Sequence, residues 1–253
     1  VGVRFALPAG LLAAASASVL LALTGPDGAF DEANAKARAG DYPKAIAAYQ
    51  SVAAAGGESA SLYWNWAQSA AARGTPGEAL WALLRAREIE PGDRAVSREI
   101  DRLRQAVNLD AAELAPDPLA GTARLVRLYR IDLGAAALLV LSVLLHAAAR
   151  LRADDSLRTA AVVVFILGGL AGAAPLAAAF ARPSAVVVKR GAPLLDSASP
   201  SAEIAGSLRE GEVVPVLAQS GGYLRIEDSS GARGWAAWED VRRLDRAPSP
   251  AAP

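Results

Sequence analysis

The sequence predicts a multidomain membrane protein in which an all-α helical repeat, a transmembrane helical hairpin and an all-β barrel follow one another. Three observations carry that prediction. Long uncharged apolar runs recur in a chain that is 53% hydrophobic with a mean hydropathy of +0.25, high for a globular composition. Small residues repeat at an offset of 34 between the first and second of these runs, a spacing that belongs to stacked helical pairs. Short β-rich stretches divided by glycine turns fill the chain after the third run.

The first run, Phe5 to Leu23, comes after Arg4 and carries no charge. Residues 1–25 therefore read as a signal peptide or an N-terminal membrane anchor. Leu133 to Ala149 is uncharged between Asp132 and Arg150, and Thr159 to Ala181 is uncharged between Arg158 and Arg182. These predict transmembrane helices over 131–150 and 159–181, joined by a cytoplasmic loop, 151–158, that holds Arg150, Arg152 and Arg158 at or near its ends. A helix satisfies its own backbone in lipid, so a hairpin of two crossings fits these runs better than a buried hairpin in a soluble core. Two crossings return the chain to the side it left. The regions before and after the hairpin are thus expected on one side, outside the cytoplasm, because a leading signal or anchor exports the chain after it. Within the third run Gly168 and Gly172 form a small-xxx-small pair ahead of Pro175, expected to pack against the second helix or another protein's helix. The alternative is a Gly- and Ala-rich helix without a specific partner.

Residues 29–110 carry the repeat. Ala33 and Ala67, Gly40 and Gly74, and Ala45 and Ala79 are related by the offset of 34. Small side chains at these points allow two antiparallel helices to cross closely. Gly40-Asp41 and Gly74-Thr75 separate the helices of each pair, with Pro43 and Pro76 near the next helix start, where a missing N–H costs little. Asp93 is placed to cap a final helix reaching about Val107. The pattern resembles the tetratricopeptide repeat, as two repeats and a capping helix, with a linker over 111–130. By that resemblance a peptide-binding groove is lined by Phe30, Asn34, Ser61, Trp64, Asn65 and Gln68, joined by Arg98 and Arg102 of the capping helix. Asn34 and Asn65 fall on the two Asn positions of the family's carboxylate-binding version. Phe30 stands where that version has its first cation, and the Arg positions are offset. The alternative reading makes Asn65 repeat consensus and Trp64 packing.

Residues 184–246 read as β. Ala185–Val188, Val213–Leu217, Tyr223–Ile226 and Arg233–Ala236 are short apolar runs bounded by Gly211, Gly221-Gly222 and Asp228–Gly231, a small-barrel pattern. Leu208-x-x-Gly211-Glu212, Tyr223-Leu-Arg-Ile226 and Gly231-Ala-Arg-Gly-Trp235 resemble bacterial SH3 domains. Tyr223 and Trp238 are the candidate surface aromatics and Trp235 is expected in the core. The tail, 247–253, is Pro-rich and predicted disordered.

The residues point away from catalysis. There is no Cys, and His146, the single His, lies in an apolar run, so Cys-based zinc sites, thiolate nucleophiles and His pairs are excluded. There is no phosphate-cradling Gly-Lys-Ser/Thr loop. Asp154-Asp155 reads as charge balance for nearby Arg. Lys+Arg and Asp+Glu are both 26, leaving no global field for nucleic acid. The expectation is a non-enzymatic protein without cofactor or metal.

Taken in order, the apolar leader, Phe30-x-x-Ala33-Asn34, Leu62-Tyr63-Trp64-Asn65, the hairpin and the terminal SH3-like region resemble the BatE-like proteins of bacterial aerotolerance operons. That resemblance implies a multi-pass protein of the bacterial cytoplasmic (inner) membrane. It would act as a membrane-anchored scaffold for other envelope proteins, among them von Willebrand factor A-type proteins and a MoxR-type AAA+ ATPase, in oxygen or envelope stress. The alternative is a cell-wall module whose SH3-like region binds peptidoglycan.

Overall fold

The computed structural model describes residues 28–109 and 118–246. The expected leader, 1–25, the expected tail, 247–253, and the first part of the expected linker lie outside the described residues. The described chain forms two compact units, one from 28–89, 93–109 and 183–246, the other from 90–92 and 118–182.

The first unit opens with five helices: α1 (28–38), α2 (Tyr42–Ala54), α3 (Ala60–Arg73), α4 (Pro76–Ile89) and α5 (Arg94–Ala106). Three of the starts, those of α2, α3 and α5, have a side-chain cap. Asp41 caps α2 and its carboxylate also holds Lys44 Nζ at 2.6 Å. Ser59 Oγ accepts the Leu62 N–H at 3.1 Å at the head of α3, and Asp93 accepts from Ala95 and Val96 at the head of α5. Such caps each contribute about 1 kcal/mol by satisfying helix-end donors. Gly74 ends α3 at φ +83°, left-handed backbone that a side chain would strain. Ala33, Ala45, Ala67 and Ala79 are all at most 1% exposed, at close helix contacts. Tyr49, Tyr63, Trp66 and Trp81 fill the space among them, with Trp66 and Trp81 edge-on at 5.0 Å between centroids.

Helix α4 is the centre of this unit. Ten consecutive residues, Gly77 to Ala86, are buried, so its apolar side chains point in every direction and need cover on every face. Helices α3 and α5 supply part of that cover. The remainder comes from the β region, more than 100 positions later in the chain.

That region is a seven-stranded antiparallel sheet: β1 (Ser184–Val187), β2 (Pro193–Leu195), β3 (Ile204–Ser207), β4 (Val213–Ser220), β5 (Tyr223–Glu227), β6 (Arg233–Ala237) and β7 (Val241–Arg243). The spatial order is β3-β2-β6-β5-β4-β1-β7, an open sheet with β3 and β7 at its ends. The three strands that the sequence pattern does not reveal, β2, β3 and β7, are three or four residues long, too short for a period-two alternation to show. Ala185, Val187, Val214, Val216, Leu224, Ile226 and Ala236 form the sheet's own core. Val186 and Val213 point the other way, into the core built by the helices. Strand β1 is thus buried on both faces, which explains its unbroken apolar run Ala185-Val186-Val187.

The second unit holds α6 (Pro118–Tyr129), α7 (Ile131–Arg152) and α8 (Asp155–Ala178). Helix α6 occupies most of the described part of the segment expected to be a linker. Helices α7 and α8 pack as an antiparallel pair joined at Ala153 and Asp154, the latter capping α8 through Ser156 and Leu157. Both helices run further toward the turn than the uncharged runs indicate, so the connection is shorter than 151–158. At 22 and 24 residues with hydropathies of 2.0 and 2.2, both are long and apolar enough to cross a membrane.

Candidate functional site

The residues expected to line a groove fall on the outward sides of α1, α3 and α5. On α3, Ser61 and Gln68 are exposed and Trp64 and Asn65 half-buried, spaced along one helix face. Asn65 Nδ2 donates to Asn34 Oδ1 at 2.9 Å, and the Tyr49 hydroxyl donates to the same oxygen at 2.8 Å. The two Asn side chains are therefore together, but part of their hydrogen-bonding capacity ties α1, α2 and α3 to one another. Phe30 packs on Tyr49 at 6.1 Å between ring centroids, a core-edge contact. Arg98 and Arg102 are exposed and bond within their own helix, to the Arg94 carbonyl at 3.3 Å and to Glu99 at 3.4 Å. The structure joins Asn34 to Asn65 and gives the two Arg side chains no such tie to them.

The densest polar constellation is one that sequence reasoning missed, at the seam of α4 with the sheet. Glu78, 4% exposed, receives Arg73 Nη2 at 2.6 Å, Arg242 Nη1 at 2.8 Å and Trp66 Nε1 at 3.2 Å. The Arg242 guanidinium lies 5.2 Å from the Trp81 ring centroid and 5.6 Å from that of Trp66, within cation–π range. Trp81 Nε1 donates to the Arg243 carbonyl at 2.9 Å, and Arg85 donates to the Leu244 carbonyl. These carbonyls belong to or directly follow β7, so α4 occupies bonding groups that an end strand otherwise leaves open. Arg85 and the Tyr63 hydroxyl also both donate to Glu58 Oε1. Burial and the bond to Glu58 push the Tyr63 phenol well above its ordinary range. Burial works against the Arg85 charge, but Glu58 and Tyr63 outweigh it and hold the guanidinium pKa up.

Two glycines set how closely helix and sheet approach. A Cβ on Gly77 would stand 2.7 Å from the Val187 carbonyl oxygen and 2.7 Å from Glu210 Cγ, and the Gly77 N–H donates to Glu210 Oε1 at 3.0 Å. Gly211, at φ +88°, leaves room for Leu80 and Leu109, whose methyl carbons would lie 2.8 Å from a Cβ there. The Leu-x-x-Gly-Glu motif is thus explained by packing. Gly211 meets the helices, and buried Glu212 accepts the Ser229 N–H at 2.7 Å. Above this seam is an open cleft of about 400 Å³ bordered by Arg73, Glu78, Lys189, Arg190, Glu210 and Arg242. Within it Arg190 pairs with Glu210 at 3.4 Å, and Lys189 reaches Asp240, outside the lining, at 2.7 Å.

On the sheet, Trp235 departs from its expected core position. Its neighbours Gly234 and Ala236 are buried, and alternation turns Trp235 outward, half-buried. It pairs with Leu195 on β2 and Arg225 on β5, and Leu195 pairs in turn with Ile204 on β3, which is 73% exposed. Half-buried Tyr223 and exposed Trp238 are the other surface aromatics.

In the second unit the two glycines of α8 differ. A Cβ on Gly168 would lie 3.1 Å from Leu139 and 3.2 Å from Leu138 Cβ, so Gly168 is a close contact with α7; one on Gly172 would meet nothing within 4 Å. The pair expected to act together is split. Ser142 Oγ donates to the Ala161 carbonyl at 3.0 Å, a buried bond between α7 and α8. His146 is on the exposed surface of α7. No protein-family model matches the chain, and no curated protein matches it.

Proposed function

We propose that this protein is a membrane-anchored, non-enzymatic scaffold of the bacterial envelope, held by the α7–α8 hairpin and presenting the outward face of α1, α3 and α5 to other proteins. The observation that carries the reading is that chain from both sides of the hairpin builds one compact unit. A unit of that kind requires both flanks in the same aqueous space, as two crossings provide. The sheet covers α4, and the outward face of α3 stays exposed at Ser61 and Gln68. The α1–α2 and α3–α4 pairs, with α5 after them, support the tetratricopeptide reading of residues 29–110. The antiparallel sheet with its Gly211 and Gly234 close contacts supports the SH3-like reading of 184–246. The order of these parts supports the BatE-like reading, with von Willebrand factor A-type and MoxR-associated proteins as partners in envelope stress.

A photo-crosslinking side chain at Gln68 in native membranes is expected to capture an envelope protein that the same group at Lys44, on α2, does not. Equal capture from both positions, or none from Gln68, contradicts the scaffold reading. A second reading, wall binding, is favoured by the outward row Ile204, Leu195 and Trp235. It requires the full chain in detergent to sediment with purified peptidoglycan and Trp235→Ala to abolish this.

A further inference from the structure

Helix α6 carries three kinds of side chain on three sectors. Val126, 7% exposed, faces the helices it packs on, α8 and α7. Leu125, Leu128 and Tyr129 are 52%, 39% and 70% exposed; at i, i+3 and i+4 they share about 100° of arc. On the remaining side are exposed Arg127 and half-buried Arg124, whose Nε is out of reach of water, with exposed Arg130 just beyond the helix. From Pro118 to Ile131 the sequence has these three Arg and no Asp or Glu.

Arg130 sits at φ +50°, left-handed backbone in a residue that has a Cβ. That conformation is disfavoured for a residue with a Cβ and breaks what would otherwise be one long helix. Helix α6 therefore folds back onto α8 and α7 instead of continuing the α7 axis. Leu133, in the first turn of α7, is likewise exposed, at 54%. A water-facing helix gains nothing from three exposed large apolar residues in a row with cations beside them. A helix at a membrane surface has that composition.

We propose that α6 lies in the headgroup layer of the bilayer that the hairpin crosses, with Leu125, Leu128 and Tyr129 in the acyl boundary and Arg124, Arg127 and Arg130 on the phosphates of anionic phospholipid. This rests on the reading of α7 and α8 as membrane-spanning. Exposed apolar side chains reach roughly 5–10 Å below the headgroups in such an arrangement, and each Arg near an anionic surface adds attraction that salt weakens.

The chain has no Cys, so single cysteines can be placed and spin-labelled in the full protein. Labels at Leu125→Cys and Leu128→Cys, at Arg127→Cys, and at Val143→Cys and Ile166→Cys in the hairpin are compared in vesicles of phosphatidylcholine mixed with phosphatidylglycerol. Relaxation by oxygen and by a water-soluble nickel chelate reports depth. The expected result is a deep signal at 143 and 166, a shallow but oxygen-favoured signal at 125 and 128, and a nickel-favoured signal at 127. Removing phosphatidylglycerol, or combining Arg124→Gln with Arg127→Gln, should move the label at 125 outward. Deep labels at 143 and 166 with 125 as nickel-accessible as 127 would overturn the role of α6 and leave the hairpin standing. Exclusion of both reagents at 125 would mean protein cover, from a second copy or a partner, and also overturns it. Insensitivity to phosphatidylglycerol overturns the anionic-headgroup assignment, and shallow labels at 143 and 166 remove the spanning hairpin together with this inference.

Discussion

Glu78 is nearly inaccessible to water, and Arg73 and Arg242 both reach it as counter-charges. Removing the charge at such a depth leaves two cations without their partner and breaks the joint between α4 and β7. Glu78→Gln should lower the unfolding free energy of the detergent-solubilised chain by about 3 kcal/mol, the lower end for a broken buried pair, because Arg242 keeps some water access and its stack on the Trp rings. Replacing Arg242 by Met leaves Glu78 with Arg73 and should cost less; chemical denaturation followed by Trp fluorescence reads both. Tyr63 carries a second prediction, in pH. Its folded pKa lies above the ordinary 10.0, so the folded state holds the proton more tightly than the unfolded chain. The corresponding stability is fully present below about pH 10 and is lost as pH rises through the higher folded value. Burial raises Tyr49 in the same sense. Tyr63→Phe should therefore reduce the fall in Tm between about pH 9 and about pH 11 while leaving that of Tyr49. An unchanged alkaline slope would remove Tyr63 from the account.

At the scale of elements, α4 shows what the sequence made legible and what it hid. The last cap, the helix order and the offset of 34 were readable because they rest on local chemistry: Asp93 and Gly74 act within a few residues of themselves. The partner of α4 was not readable, because Gly77 and Val187, or Trp81 and Arg243, are joined across more than 100 positions with no pattern to link them. The available signal was a helix apolar all round, Glu78 to Ala86, with one buried carboxylate and one buried guanidinium in it. Trp235 was misread for a related reason: aromatic bulk suggested the core, but strand alternation decides the face. Gly77→Ala tests the close approach. In an exposed helix Ala is favoured over Gly by about 1 kcal/mol, whereas here its Cβ would meet backbone at 2.7 Å. The substitution should destabilise the full chain by about 1–3 kcal/mol. Stabilisation of the full chain would show that helix and sheet do not meet as described.

Across the whole molecule, the first unit is discontinuous in sequence: it closes only when the chain returns after the hairpin. The sequence suggested two modules that share a side, since parity of two apolar runs requires it, but carried no sign that they share a core, to which Val186 and Val213 contribute. Helices and sheet therefore close as one body, and the outward face of α3 is connected to the sheet through that core. The most direct test uses the absence of Cys. Single cysteines at Gln68 on α3, Ser229 in the β5–β6 turn and Ser156 at the hairpin turn are treated with a membrane-impermeant maleimide in oriented vesicles. Positions 68 and 229 should label from the same face and 156 from the opposite one; labelling of 68 and 229 from opposite faces, or of all three from one face, would refute the two-crossing hairpin.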